Sequence, residues 1–347
     1  MNAARVARWL WGGSRAARAA RVPLVPLAVA YGAAMRLRAA AYRRGLFSVE
    51  ALSLPVVAVG NLSVGGTGKT PLAAWIAAYY AARGVKPGIL VRGYGADESL
   101  VHQRLVPEAV VVADPDRGAG ARRALAGGAD VLVLDDAFQH LRVARDLNIV
   151  VVSAESAAAP RWALPAGPWR ERWQAVDRAD WIVVTRKRAG NEAARTLAAQ
   201  LATLGGGVPV AVAHLRIARL EGLQSGTRHA TDVVRGRRVV AAAGIADPES
   251  FAAQLTQLGA GVQLVAYQDH QRYDAGKVER LVRAARETDY VVVTEKDAVK
   301  LRDRWPRGVP EPLVAALDVR WEQDGRLFEE ALAAPLLPAT VTRRPQS

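Results

Sequence analysis

Hydrophobic and polar positions alternate along the chain in blocks of two lengths, and this pattern predicts an α/β protein. From residue 55 onward, short runs rich in Val, Ile and Leu alternate with longer Ala-rich stretches. The short runs contain almost no polar residue, as is typical of strands in a parallel sheet covered by helices on both faces. We predict strands over residues 56–60, 88–92, 109–113, 131–135, 148–153, 181–185, 208–213, 239–243, 262–267, 290–294 and 313–317.

A more polar stretch interrupts this alternation and predicts two domains. Residues 216–238 are predicted to be a linker between them. With 347 residues, of which 51% are hydrophobic, the chain is long enough for two cores of ordinary size. We predict a doubly wound parallel sheet over residues 46–215, a second, smaller α/β domain over residues 239–335, and a tail over residues 336–347.

The first 45 residues are rich in Ala and Arg and predict association with a membrane. Residues 22–35 carry no charge, and as a helix they would be roughly 21 Å long, whereas a membrane core is about 30 Å thick. The segment is therefore predicted to be too short to span. Arginines on both flanks favour an interfacial helix drawn to anionic lipids. The alternatives are a secretory signal peptide, disfavoured by the arginines after the apolar run, and an amphipathic helix packed on the protein.

The strongest candidate for chemistry is a glycine-rich stretch between the first predicted strand and a predicted helix over residues 71–83. It reads Ser63-Val64-Gly65-Gly66-Thr67-Gly68-Lys69-Thr70. In this context glycines let backbone N–H groups surround phosphate oxygens, the lysine reaches the β/γ-phosphates, and the following hydroxyl ligates Mg²⁺. The stretch predicts a nucleotide-binding loop in a P-loop NTPase-like domain. Ser63 stands where glycine is usual, and Gly65 and Gly66 are expected to supply the flexibility instead.

A second candidate is a pair of carboxylates, Asp135 and Asp136, that ends the predicted strand over residues 131–135. In phosphate-loop enzymes a carboxylate at the end of a neighbouring strand holds Mg²⁺ directly or through water. The alternative is a solvated acidic turn. Downstream of a phosphate loop, the pair predicts a metal site.

Composition limits the partners. The net charge of +14 favours an anionic ligand or an anionic membrane surface. We predict no nucleic-acid partner, because the arginines are dispersed, only 6% of residues are aromatic and no nucleic-acid module is recognisable. We infer no obligate protein partner.

The chain contains no cysteine, which excludes disulfides, thiolate metal sites and a cysteine nucleophile, and fits a cytoplasmic protein.

Seven motifs follow one another in an order that resembles a known family. They are Gly60-Asn61-Leu62-Ser63-Val64-Gly65-Gly66-Thr67-Gly68-Lys69-Thr70-Pro71, Arg92-Gly93-Tyr94-Gly95, Asp135-Asp136-Ala137-Phe138-Gln139-His140, Leu164-Pro165-Ala166-Gly167-Pro168-Trp169-Arg170-Glu171, Ala243-Gly244-Ile245-Ala246-Asp247-Pro248, Asp269-His270-Gln271-Arg272-Tyr273 and Thr294-Glu295-Lys296-Asp297-Ala298-Val299-Lys300. This set resembles the tetraacyldisaccharide 4'-kinases of lipid A synthesis.

The resemblance implies an enzyme that uses ATP and Mg²⁺ to phosphorylate the 4'-hydroxyl of a tetraacylated glucosamine disaccharide 1-phosphate. It implies two α/β domains that close on ATP and an N-terminal membrane-associated helix. It also implies an acylated disaccharide lipid and an anionic membrane surface as partners. The expected location is the cytoplasmic face of the bacterial inner membrane, with peripheral or shallow insertion.

The resemblance also assigns roles to individual residues. It makes Asp97 the base that accepts the hydroxyl proton, assisted by His270, while Lys69 neutralises phosphate charge. The Mg²⁺ ligands are then expected among Thr70, Asp135 and Asp136, with Glu171 and Gln139 as outer-shell groups.

Three positions depart from the family pattern. Ala137 replaces a glycine, Ser99 replaces a proline, and the segment before Asp97 is shorter than usual. Asp114 or Asp116, beside Arg117, is therefore the alternative base. Two other functions stay open, a P-loop ATPase or GTPase switch and a nucleotide-binding membrane scaffold.

Overall fold

A computed structural model of the protein describes residues 3–93, 96–157, 159–269 and 271–336. The helices of this part are α1 (Ala3–Leu10), α2 (Arg15–Arg21), α3 (Val25–Arg43), α4 (Lys69–Ala81), α5 (Ala96–Leu105), α6 (Arg117–Ala126), α7 (Asn191–Leu204), α8 (Pro248–Gln257), α9 (Ala275–Glu287), α10 (Glu295–Leu301) and α11 (Gly325–Ala333). The strands are β1 (Val56–Asn61), β2 (Pro87–Val91), β3 (Val110–Ala113), β4 (Val131–Leu134), β5 (Leu147–Ser153), β6 (Trp181–Arg186), β7 (Val210–Gly222), β8 (Arg228–His229), β9 (Arg238–Ala243), β10 (Gly261–Ala266), β11 (Tyr290–Thr294) and β12 (Leu313–Gln323).

Each of the eleven predicted strands is present, which confirms the predicted α/β class. The largest difference lies in β7, which continues to Gly222 and pairs antiparallel with β8. Both strands occupy part of the predicted linker, residues 216–238. The outer half of β7 alternates between buried and exposed positions, because one of its faces is solvated, and such a strand carries many polar residues.

The first compact unit comprises Met1–Arg92, Val106–Ala213 and Trp321–Ser347. Its sheet has the strand order β3-β2-β4-β1-β5-β6, and the pairs within it whose register is defined are parallel. Strands β1, β4 and β5 are buried along their whole length, as expected for a sheet covered on both faces. Helix α4 packs on this sheet through Leu72, Ile76 and Tyr80, each fully buried.

The end of the chain returns to the first unit, although residues 239–335 were predicted as one domain. Tyr79 and Tyr80 of α4 donate hydrogen bonds from Oη to the carbonyl oxygens of Glu329 (2.8 Å) and Leu332 (2.7 Å) on α11. Arg186 of β6 forms an ion pair with Glu322. These contacts join α11 to the first unit.

The second unit comprises Gly93–Leu105 and His214–Arg320. Its strand order is β10-β9-β11-β12-β7, and β9 pairs in parallel with both β10 and β11. Two apolar clusters, one on each face of this sheet, form its core and include Leu281, Leu301, Phe251 and Leu255. The segment with α5 belongs to this unit, whereas the sequence predicted it inside the first domain, residues 46–215.

The N-terminal helices pack on the first unit through small side chains. Ala28, Gly32 and Ala39 form the buried side of α3. Larger apolar side chains of the same region are exposed, namely Val22, Leu27, Val29 and Leu37. The helical run Arg15–Arg43 has the length and composition needed to cross a membrane. The helix continues through the arginines after residue 35 to Arg43, so it is longer than the uncharged run on which the prediction of a segment too short to span was based.

Candidate functional site

The order of the strands brings the two strongest sequence candidates together. Strand β1 pairs in parallel with β4, with Ala58 opposite Leu134. Both strands therefore end at the same edge of the sheet, where the loop over residues 63–70 follows β1 and Asp135 follows β4. Ligands of open α/β sheets bind at this edge, beyond the carboxyl ends of the strands.

The glycine-rich loop has the conformation that its glycines permit. Gly65 has φ 119° and Gly68 has φ 89°, values that side chains with a Cβ rarely adopt. Ser63 instead lies in extended backbone and forms a bridge with Trp169. The departure at Ser63 therefore has a structural reason, because this position pairs with a neighbouring strand segment and needs no glycine. Gly68, rather than Gly66, provides the second left-handed residue.

Side chains from β1, from β6 and from the segment after β6 hold the loop in place. Asn61, at the end of β1, donates from Nδ2 to the carbonyl oxygen of Ser63 (2.7 Å) and to Oγ1 of Thr67 (2.9 Å). Thr185, near the end of β6, donates from Oγ1 to the carbonyl oxygen of Thr67 (2.7 Å). Lys187 donates from Nζ to the carbonyl oxygen of Gly66 (2.7 Å). The loop is therefore preorganised.

Glu155 holds the segment that carries Lys187. Its Oε1 accepts the backbone N–H groups of Lys187, Arg188 and Ala189, and its Oε2 accepts the hydroxyl of Ser153. Burial opposes ionisation of this carboxyl, but the hydrogen bonds outweigh burial and lower its pKa to about 2. Glu155 therefore stays charged and fixes the segment that presents Lys187.

Lys69 and Asp136 meet at the centre of the site. Lys69 Nζ lies 3.5 Å from Asp136 Oδ1, and Arg170 Nη1 donates to the same oxygen at 2.8 Å. Desolvation alone would raise the pKa of Asp136, but the charges of Lys69 and Arg170 outweigh it, and its pKa lies below the ordinary value. Asp136 has φ 54°, which places the left-handed residue here, one position before Ala137. The glycine usual at position 137 is therefore dispensable.

The oxygen donors near the loop suit a hard cation. Asp135 is buried at the end of β4, and its Oδ1 accepts the backbone N–H of Asp136 (2.8 Å). Thr70 lies in the first turn of α4. Within the part of the chain that the structure describes, no group of three or more His, Asp or Glu side chains is arranged to hold a metal. Mg²⁺ ordinarily uses one or two carboxylates together with water and substrate phosphates, so this donor set fits Mg²⁺.

Glu171 occupies a position behind these donors. Its Oε1 accepts a hydrogen bond from Gln139 Nε2 (3.1 Å), and its Oε2 accepts one from Arg178 Nη2 (2.7 Å). Gln139 also donates from Nε2 to the carbonyl oxygen of Asn61 (2.8 Å). These contacts suit an outer-shell role for Glu171 better than direct ligation of a metal. Gln139 connects Glu171 to the end of β1, and Arg178 neutralises the charge of Glu171.

His140 completes the motif that begins at Asp135. Burial and the surrounding arginines, first among them Arg117 and Arg92, lower its pKa to about 4. The imidazole is therefore neutral near pH 7.

The predicted base lies in the second unit. Asp97 is in the first turn of α5, and its Oδ2 lies 3.0 Å from Lys300 Nζ on α10. Both side chains are largely buried, with 9% and 14% of their surface exposed. His270, predicted to assist Asp97, lies outside the described residues. The contact of Asp97 explains why a lysine closes the motif over residues 294–300.

A buried carboxylate joins three of the motifs in the second unit. Asp297 accepts hydrogen bonds from Thr294 Oγ1 (2.6 Å), Tyr273 Oη (2.9 Å) and the backbone N–H of Gly244 (3.0 Å). A Cβ at Gly244 would lie 2.8 Å from Asp297 Oδ1, so this approach requires glycine. Burial raises the pKa of Asp297 above its ordinary value.

The alternative bases have structural partners. Asp116 caps α6 by accepting the backbone N–H groups of Gly118 (2.9 Å) and Ala119 (3.2 Å). Asp114 accepts the backbone N–H of Asp116 (2.8 Å) and forms an ion pair with Arg123. These contacts favour a role for both residues in ending β3 and starting α6.

Sequence reasoning missed most residues that support the loop. Thr185, Lys187 and Glu155 belong to no motif of the resemblance, and they are distant from the loop in the chain. A signal existed only for Arg170, which is part of the motif over residues 164–171, and for Asn61, which directly precedes the loop segment.

Comparisons with known proteins agree with this geometry. Residues 20–336 match the family described as Tetraacyldisaccharide-1-P 4'-kinase. A protein of Anaeromyxobacter dehalogenans (strain 2CP-C) named tetraacyldisaccharide 4'-kinase is 38% identical over 344 residues, which cover 90% of this chain and 90% of the relative. A protein of Geobacter metallireducens with the same name is 38% identical over 305 residues, or 80% of this chain and 88% of the relative.

A solved structure is similar along nearly the whole chain. The crystal structure described as the "apo" form of LpxK from Aquifex aeolicus in complex with ATP aligns with a TM-score of 0.70 and 25% sequence identity. The alignment covers 91% of this chain and 99% of that chain.

Proposed function

The chain belongs to the tetraacyldisaccharide-1-P 4'-kinase family, and we propose that it transfers the γ-phosphate of ATP to the 4'-hydroxyl of a tetraacylated glucosamine disaccharide 1-phosphate. The family is the one that the seven motifs resemble. The reaction is a step of lipid A synthesis.

The preorganised loop after β1 is the observation that carries the proposal. Asn61, Thr185 and Lys187 hold three of its carbonyl groups, so the loop backbone keeps one conformation, and a glycine-rich loop of this kind can surround phosphate oxygens with N–H groups. Lys69 and Arg170 place two cations on one carboxylate at the end of the neighbouring strand. When the triphosphate binds, both cations exchange part of this contact for phosphate oxygens, which stabilises charge in the transition state.

Thr70, Asp135 and Asp136 are the residues that would hold Mg²⁺. When bound, the ion neutralises charge on the β- and γ-phosphates. Glu171 accepts a hydrogen bond from Gln139, whose Oε1 lies 3.5 Å from Arg170 Nη1, the group that donates to Asp136. The buried position of Asp135 fixes its carboxylate relative to the sheet, so the loop and the metal ligands keep one geometry.

We assign to Asp97 the role of the base that accepts the proton of the 4'-hydroxyl. The 4'-oxygen forms a new bond to the γ-phosphorus, the bond between that phosphorus and the β,γ-bridging oxygen breaks, and ADP leaves. The hydroxyl proton passes to the Asp97 carboxylate, with His270 assisting. Such proton transfer is late in phosphoryl transfer, so the group that accepts the proton need not be a strong base.

The decisive experiment locates the transferred phosphate. Purified protein is incubated with Mg²⁺, γ-labelled ATP and the acylated disaccharide, and the product is analysed by mass spectrometry for a phosphate on the 4'-oxygen. A disaccharide that lacks the 4'-hydroxyl is the matched control and should receive no label. Rapid ATP hydrolysis without any acceptor would instead indicate a switch, and unchanged function of Asp97→Ala would indicate a scaffold.

The N-terminal helices support a location at an anionic membrane surface, which we place on the cytoplasmic face of the inner membrane. The outward side chains Leu27 and Leu37 are 59% and 71% exposed, while small residues of α3 face the protein. We expect the full chain with Leu27→Ser and Leu37→Ser to bind phosphatidylglycerol vesicles more weakly, with unchanged affinity for ATP. Leu204→Ser, an exposed leucine on α7, is the control. Equal vesicle binding by both variants would contradict the proposal.

A further inference from the structure

Helix α10 joins the residue assigned as base to the buried network of the second unit. We propose that Lys300 is a positioning residue that keeps the Asp97 carboxylate ionised and oriented, and that Asp297 fixes helix α10 so that it can do so. This inference rests on the proposed function, because it concerns how Asp97 takes part in that reaction.

The contact between Lys300 and Asp97 is a sheltered ion pair. The two charged atoms are 3.0 Å apart, and both side chains are mostly removed from water. In such surroundings an ion pair is screened far less than on the surface. Removing the charge of Lys300 takes away a cation 3.0 Å from a largely buried carboxylate, which is unfavourable for the ionised form of Asp97. The side chain of Lys300 therefore has its position set by Asp97, and Asp97 has its position set by Lys300.

The opposite end of α10 is anchored to the core. Thr294 caps the helix by accepting the backbone N–H of Asp297 at Oγ1 (3.3 Å), while its hydroxyl donates to the Asp297 carboxylate. Tyr273 and Gly244 donate to the same carboxylate. A seven-residue helix has little stability of its own. The network around Asp297 therefore determines where the last turn of α10, with Lys300, lies.

Other charged groups surround this pair. On α5 they are Glu98, His102 and Arg104, and on α10 they are Glu295, Lys296 and Asp297. Arg104 forms its ion pair with Glu221 of β7 at 2.6 Å. Asp297 is held by neutral donors. Lys300 forms a direct ion pair with Asp97 at 3.0 Å, so its removal should raise the tendency of the Asp97 carboxylate to bind a proton.

The loss of this charge has a specific chemical consequence. Without Lys300, the buried carboxylate of Asp97 binds a proton more readily, and a protonated carboxyl cannot accept the proton of the 4'-hydroxyl. Transfer should then fail at low pH and recover as the pH rises. A purely structural brace between α5 and α10 would lower activity at every pH to the same extent.

The test compares variants of the full chain with ATP, Mg²⁺ and the acylated disaccharide. Lys300→Met removes the charge at similar length, and Lys300→Arg keeps it. Lys277→Met is the matched control, because Lys277 forms an exposed ion pair with Asp274 in the same unit. We measure kcat and KM between pH 5 and pH 9. This range should include the acidic limb of the profile if the pKa of the base is raised in a variant. Thermal unfolding of each variant is recorded in parallel.

We expect Lys300→Met to move the acidic limb of the kcat profile upward by about one unit, so that kcat falls by up to about tenfold on that limb and approaches the wild-type value above it. KM for ATP should stay within about twofold, because the nucleotide loop is in the other unit. Lys300→Arg and Lys277→Met should keep the wild-type profile. An acidic limb that does not move in Lys300→Met would overturn the inference.

A double variant covers the case in which Lys300→Met folds poorly. In Asp97→Asn/Lys300→Met both charges of the ion pair are removed. The double variant therefore avoids the destabilisation that one remaining buried charge would cause. If Lys300 acts through Asp97, the double variant should have the same kcat as Asp97→Asn alone. Additive losses in kcat would overturn the inference. Absence of transfer by the wild-type protein would instead contradict the proposed function.

Discussion

Two regions of this molecule have the same local plan and opposite electrostatics. In the first unit, β1 and β4 are parallel neighbours, and Asp136 follows β4; in the second unit, β9 and β11 are parallel neighbours, and Asp297 follows β11. Asp136 is 37% exposed at its side chain and contacts two cations, so its pKa is lowered. Asp297 is fully buried among neutral donors, and burial raises its pKa.

The difference separates binding from positioning. Lys69 and Arg170 share an accessible carboxylate, and such a contact can exchange for another anion at small cost. The hydrogen bonds to Asp297 are buried, and breaking them would leave polar groups unpaired away from water, so they persist. One sheet edge is therefore open to an anionic ligand, whereas the other holds loops and a short helix in fixed positions.

The largest expected effect is on catalysis in the first region. Lys69→Ala should lower kcat for phosphate transfer by about 10³-fold, because it removes a charge aimed at the transferring phosphate. The unfolding free energy should change by less than about 1 kcal/mol, since the ion pair with Asp136 is partly exposed. Steady-state kinetics and urea denaturation measure the two quantities. Lys86→Ala, which replaces a surface lysine of the same unit, is the control. Near-normal turnover of Lys69→Ala would contradict the mechanism.

The next effect is on stability in the second region. Asp297→Ala should lower the unfolding free energy by about 3 kcal/mol or more, because it leaves the N–H of Gly244 and the hydroxyls of Tyr273 and Thr294 without their acceptor. Asp297→Asn keeps one acceptor oxygen and should cost about 1 kcal/mol. Chemical denaturation of both variants provides the measurement. Equal losses for Ala and Asn would show that the acceptor oxygens of Asp297 contribute little.

The first region could be predicted well because its signals are local. A strand, a glycine-rich loop and a helix follow one another in the sequence, and a second strand ends in two aspartates. The parallel pairing of these strands then brings both motifs to one edge. Ser63 is the exception, because it pairs with Trp169, which is distant in the chain, and the pattern around the loop does not predict that bridge.

The second region could not be derived in this way. Lys300 and Asp97 are far apart in the chain, and neither has a pattern that predicts the other. Asp297 looks like an ordinary first-turn acid of a helix, and its three donors come from three separate motifs. The outer half of β7 was missed for a related reason, because a strand with one solvated face has the composition of a linker.

A smaller effect should appear in the pH dependence of stability. Burial raises the pKa of Glu295, the first residue of α10, to about 7, although Arg104 and Arg219 oppose the shift. The folded protein therefore binds this proton more tightly than the unfolded chain does. The stabilisation is fully present below the ordinary pKa of Glu, 4.5, and is lost as the pH rises towards 7.

Glu295→Gln removes this titration and should become more stable than wild type at pH 8, by up to about 3 kcal/mol relative to its difference at pH 4. Urea denaturation at both pH values measures the change. Glu192→Gln, in the first turn of α7, is the control. A difference between Glu295→Gln and wild type that is the same at both pH values would mean that Glu295 titrates normally.

The smallest expected effect on folding tests the comparison most directly. Asp136→Asn removes the charge shared by Lys69 and Arg170 but keeps the size of the side chain, and the left-handed backbone at this position tolerates asparagine. The unfolding free energy should change by less than about 1 kcal/mol, because the contacts are partly exposed. Phosphate transfer should nevertheless fall sharply, because a metal ligand is lost. If Asp136→Asn destabilised the fold as much as Asp297→Ala does, the carboxylate after β4 would be a structural brace like the one after β11, and the distinction between the two regions would fail.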